Sequence, residues 1–155
     1  MIDELLEAWR INHRVNTRLI KGITDAGMKC TLSKRGGRNV VRQFAHLHAV
    51  RVMHLSNRAK PLAEGARSFA TEEEPDRKTL LAAMEDSARR VEEWIRRASE
   101  GAPRIRTFKR GIAPTVAYLI AHEAHHRGNI LLTCKQCGEP VDKDVRYGIW
   151  DWDRI

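Results

Sequence analysis

With 155 residues, 42% hydrophobic and 31% charged, the chain has the length and composition of one globular domain and too many apolar side chains for a disordered one. Its 28 Lys and Arg exceed 20 Asp and Glu, a formal charge of +8, which invites nucleic acid as a partner. The distribution argues against that partner: Arg10, Arg14, Arg18 and Lys21 make one solvated helical stripe, and two Tyr and three Phe offer few stacking platforms. The longest apolar run, Val116 to Ala121, falls far short of the roughly 20 residues of a membrane span. Acids at Asp3 and Glu4 stand where an export leader would carry bases, and three cysteines make no paired framework, so a reducing cytosol is the expected compartment.

Four long segments repeat apolar residues at helical spacing, and none alternates as a strand, so the expected class is all-α. The first helix is predicted from about Asp3 to Ile23, with Leu6, Trp9, His13, Asn16, Ile20 and Ile23 on one face. After a linker holding Gly27, Gly36 and Gly37, Asn39 is a plausible cap for a second helix from Val40 to Lys60, stopped by Pro61. The third, about Asp76 to Glu100, places Leu80, Met84, Ser87, Val91, Trp94 and Ala98 together and ends at Gly101. The fourth begins near Pro114 and runs to Gln136, with Gly138 as its C-terminal cap. Four such amphipathic helices predict a four-helix bundle, and the two long early linkers permit crossover connections. The aromatic tail from Tyr147 to Trp152 is expected to pack over the bundle, because two exposed indoles are a hydrophobic liability.

His122 and His126 lie four apart on the fourth helix, which rotates the chain only about 40°, so both imidazoles project from one face and can share a divalent ion. Tyr118, Asn129 and Thr133 lie on that face too. Half-buried histidines without a metal are the plainer reading, and a third ligand would displace it. His46, His48 and His54 on the second helix and His13 on the first are candidates, and periodicity alone does not choose between His46 and His48. His122-Glu123-Ala124-His125-His126 also fits H-E-x-x-H, the zinc-protease helix. No strand is predicted to hold a peptide, and no downstream histidine follows, so the protease reading is weak.

Phe44-Ala45-His46-Leu47-His48-Ala49-Val50-Arg51, with His122-Glu123-Ala124-His125-His126-Arg127-Gly128-Asn129-Ile130, resembles the DinB family. The end, Lys135-Gln136-Cys137-Gly138-Glu139-Pro140 through Tyr147-Gly148-Ile149-Trp150-Asp151-Trp152, is similar to one branch of it, so the resemblance spans nearly the whole chain as one domain. It implies a four-helix bundle of crossed connectivity, a homodimer, and a metal site of one second-helix histidine and an H-x-x-x-H pair. Residue by residue these are His46, His122 and His126, with His125 as a flanking hydrogen bonder. Three imidazoles suit Zn, Ni or Fe and leave a position for water or substrate. The implied chemistry is a metalloenzyme of thiol-transferase or hydrolase type, activating water or a small thiol against a small electrophile. A metal-binding or stress-response protein without catalysis is the alternative. Glu123, about 100° round the helix from His122, is a weak general-base candidate.

Cys134 and Cys137 form C-x-x-C at the C-terminal end of the fourth helix, where the dipole opposes a thiolate, so they read as semi-buried thiols rather than a redox pair. The other side of that helix, with Ala117, Ile120, Ala124 and Leu131 beside Ala121 and Gly128, is apolar as well and calls for cover by the tail, a second copy, or both.

Overall fold

Four runs of helical periodicity, closed by polar caps, Gly and Pro, and three short turns give seven α-helices and no strand in the computed structural model, which describes all residues 1–155. They are α1 (Ile2–Gly22), α2 (Asp25–Lys29), α3 (Val40–Arg58), α4 (Lys60–Ala63), α5 (Arg77–Ser99), α6 (Ile112–Gln136) and α7 (Lys143–Gly148). Thr24, Asn39, Asp76 and Asp142 cap α2, α3, α5 and α7, each side-chain oxygen accepting from a backbone N–H in the first turn. The expected stop at Pro61 falls two residues earlier. The chain breaks at Ala59 (φ −142°, ψ 51°), and Pro61, with no N–H to lose, sits in the first turn of α4. Likewise α6 begins at Ile112, with Pro114 in its first turn, because Gly111 supplies the φ of 100° that turns the chain in. The short helices α2, α4 and α7 are not foreseen by periodicity, since they are about one turn long. No helix is long and apolar enough to cross a membrane.

The long helices α1 and α3 each lie against both α5 and α6, while α1 and α3 barely touch. The first two long helices, α1 and α3, therefore sit across the molecule from one another, and residues 24–39 carry the chain between them. Two apolar clusters fill the interior. One gathers Leu19, Ile20, Phe44, Leu47, Leu80, Met84 and Ile130; the other gathers Leu6, Trp9, Leu55, Val91, Trp94 and Leu119.

Between them lies a buried polar layer to which every long helix contributes. Arg51, fully buried, donates from Nε to Glu123 Oε1 at 2.6 Å and from Nη2 to Oε2 at 2.9 Å. Its Nη1 donates to the Met84 carbonyl (3.0 Å) and Ser87 Oγ (3.3 Å), and its guanidinium lies 4.8 Å from the Trp9 ring centroid. Asn12 and Asn16 each donate to Glu123 Oε2 at 2.6 Å, and their Oδ1 atoms accept from Arg127 Nη1 at 2.7 and 3.1 Å. Burial pushes the Glu123 carboxyl up, but Arg51, Asn12 and Arg127 outweigh it and hold the group below the ordinary carboxylate range.

The tail docks through aliphatic rather than aromatic residues. Ile149 is buried and Val145 packs on the first cluster, so close to α1 that a Cβ on Gly22 would lie 2.6 Å from Val145 Cγ2. Trp150 remains 74% exposed, Trp152 42% and Tyr147 60%, contrary to the expected covering of the indoles: Val145 and Ile149, four apart, take the inward face of α7 and its cap, which leaves Tyr147 on the outer one.

Candidate metal centre

His46 faces α6 from α3, and His122 and His126 face α3 from successive turns of α6. Their candidate ligand nitrogens all lie within 4.8 Å of one another. The ring centroids are 5.6 Å apart for His46–His122, 4.8 Å for His46–His126 and 4.7 Å for His122–His126. Zn–N bonds near 2.1 Å in a tetrahedral array need nitrogens about 3.4 Å apart, a closure within reach of side-chain rotation. The donors therefore fit one divalent ion. Burial and proximity also keep them neutral, as ligands must be. Burial, then Arg38 and His122, lowers the His46 pKa; burial lowers that of His122; burial, His122 and His46 take His126 down to about 4.

The triad sits at one end of an aromatic row. Tyr118 stacks on His122 at 6.2 Å, and beyond it His54, Phe108 and Arg58 follow, with the Arg58 guanidinium 4.5 Å from the Phe108 centroid. On the other side of His46 a recess of about 110 Å³ is bordered by Arg38, Arg42, Phe69, Thr71 and Glu73. Arg42 is committed to Glu72 (2.8 Å) and the Thr71 carbonyl (3.1 Å), whereas Arg38 makes no ion pair. Phe108 and Arg38 were not legible as site neighbours, because each reaches it from a loop rather than a periodic face.

The other histidines are elsewhere. His13 Nε2 meets Glu85 at 2.7 Å on α5, and His48 Nε2 meets the Arg67 carbonyl at 2.7 Å, so neither supplies a ligand. His54 is buried against Tyr118 and Phe108. His125, expected as a flanking hydrogen bonder, is exposed rather than buried; its ring lies 5.3 Å from that of His126, and its Nε2 is 3.3 Å from Asn129 Nδ2.

Glu123 is the main correction. Its carboxylate is consumed by Arg51, Asn12 and Asn16 in the polar layer and is turned away from the imidazoles. It cannot serve as general base there, and the H-E-x-x-H match lacks the chemistry of a zinc protease. No strand offers an edge for a peptide either; the single isolated bridge joins Phe108 and Gly111. Burial pushes the Cys30 thiol, beside Cys137, and the Cys134 thiol up to about 11, so both stay protonated near neutrality. All three cysteines are free.

Among known families, the model described as the DinB family matches residues 1–146 of the chain. No curated protein and no solved structure matches it.

Proposed function

The chain belongs to the DinB family, and from that premise we propose that it is a metalloenzyme whose divalent ion is held by His46, His122 and His126. The convergence of three neutral imidazole nitrogens within 4.8 Å, from two helices, carries the reading. A Zn, Ni or Fe ion there would supply Lewis acidity, lowering the pKa of water or a small thiol at its open position. The chain's own residues do the rest. Arg51 and Glu123 fix the facing of α3 and α6, and so of the imidazoles they carry. Tyr118 braces the His122 ring. Uncommitted Arg38, beside the recess, favours a small electrophile or thiol carrying negative charge.

The ring of four long helices is in this reading the crossed four-helix bundle of the family. We propose also that two copies pair, supported by the exposed stripe of Pro114, Ala121 and Leu132 on the outer face of α6; the mass in solution checks it. The same joining of α3 and α6 favours a second reading, an ion that only staples the two helices.

The test is metal content of untagged protein, wild type against His126→Ala and His46→Ala, followed by thiol titration of the Co(II)-loaded protein. Near-stoichiometric metal in the wild type only, with a visible spectrum shifted by thiols, supports the enzyme. A bound ion whose spectrum no thiol or small anion moves favours the staple. No ion after reconstitution sinks both.

A further inference from the structure

The polar layer is not electrically closed. It buries one carboxylate, Glu123, with two guanidiniums, Arg51 and Arg127. Arg51 uses all three nitrogens on partners within the layer. Arg127, only 8% exposed, uses Nη1 alone, on Asn12 and Asn16; its Nε and Nη2 take no partner from the chain. A guanidinium is never neutral in a protein, so two positive charges share the one carboxylate here, and the remaining N–H donors of Arg127 are left for an acceptor from outside the layer.

That free edge has an outlet. Arg127 lines a cavity of about 360 Å³ whose other walls are apolar: Val15 of α1, Ile120 and Leu131 of α6, and Ile149, Trp150 and Trp152 of the tail. The volume is that of a small-molecule site, and the composition is an apolar sleeve with one convergent polar group. It also accounts for the exposure of Trp150 (74%) and Trp152 (42%) at the end of a docked tail: they form the outer wall of the sleeve. The cavity lies on the opposite side of α6 from the imidazoles, since Ala124 and Leu131 of its wall are about half a turn round from His122 and His126. It is separate from the metal centre and depends on no part of that reading.

We propose that this cavity is a binding site for a small amphipathic carboxylate, its head paired with the free edge of Arg127 and its alkyl or aryl body lying between α6 and the tryptophans. A carboxylate is the fitting head because a guanidinium edge presents two parallel N–H donors to two oxygens. Gly128 supports the entry. A Cβ there meets nothing within 4 Å, so the position opens a gap that any larger side chain fills without backbone strain.

Octanoate is the probe, with octan-1-ol as its neutral counterpart, followed by calorimetry and by tryptophan emission. Trp9 and Trp94 are buried, so a ligand in the sleeve moves the signal of Trp150 and Trp152. The expected result is saturable one-to-one binding of octanoate, about tenfold or more tighter than the alcohol. Arg127→Met should remove that preference. Gly128→Leu, which leaves every bond of Arg127 in place, should abolish binding of both probes while circular dichroism and metal content stay as in the wild type. Equal affinity for acid and alcohol overturns the assignment of the head group. Absence of saturable binding overturns the site, and a dimeric mass with Trp150 shielded from acrylamide would then give the groove to a second copy.

Discussion

Glu123 joins three helices through one carboxylate, which receives Arg51, Asn12 and Asn16 and so ties α1 and α3 to α6. Replacing it by Leu leaves two buried guanidiniums with no counter-charge, a cost of about 3–5 kcal/mol. Urea unfolding measures this, and a loss below about 1 kcal/mol would show that the layer contributes shape rather than charge pairing. The cluster of His46, His122 and His126 was legible because two lie four apart on one helix and the resemblance supplied the third. The role of Glu123 was not, since a short motif assigned it to chemistry. Its partner Arg51 stands 72 residues away, and no periodicity reports such a pairing. A signal was nevertheless present: Asn16 and Ser87 fall on otherwise apolar faces, where buried polar groups need partners.

At the scale of elements, caps and close approaches set where each helix starts and how it sits. Asn39 Oδ1 accepts from Arg42 N–H at 3.1 Å and its Nδ2 donates to Glu74 at 2.6 Å, so it both opens α3 and fastens the loop before α5. Asn39→Ala should cost about 1–2 kcal/mol in urea with metal content unchanged, because the cap lies nearly two turns before His46. Gly22→Ala should instead loosen the tail: its Cβ collides with Val145, so proteolysis near residue 142 is expected to quicken while the helical circular dichroism persists. The four long helices were legible to within a few residues because each buries a regular apolar face. The short ones were hidden in linkers, being fixed by a single cap and by tertiary contacts rather than by a repeat. The crossed order of α1 and α3 followed from the resemblance; linker length only allowed it.

For the whole molecule, pH acts through histidines held neutral. Burial, before any charged neighbour, lowers the pKa of His13, His48 and His54. The unfolded chain takes up their protons first, near pH 6.5. Their contribution is therefore complete above that value and is lost as pH falls through it towards the lower folded values. Melting temperature should stay level from pH 8 to 7 and drop between pH 6.5 and 5; a flat profile across that interval would contradict the burial of these rings as neutral groups. A divalent ion at the proposed site would add stability instead. An ion at 100 times its Kd raises stability by about 2.7 kcal/mol if only the folded chain binds it, and His46→Ala should erase that rise without altering the metal-free melting point by a comparable amount.

The layer around Glu123 also has a consequence for how such a chain can change over generations. Its members come from four helices, and each is the partner that makes another tolerable. A single substitution there strands a charge or an amide, so an acceptable alternative is reached only by two or more changes made together. The cavity walls and the outer stripe of α6 carry no such mutual obligation. Inheritance should therefore preserve the interior arrangement that aims His122 and His126, while relatives diversify in what they bind at the periphery.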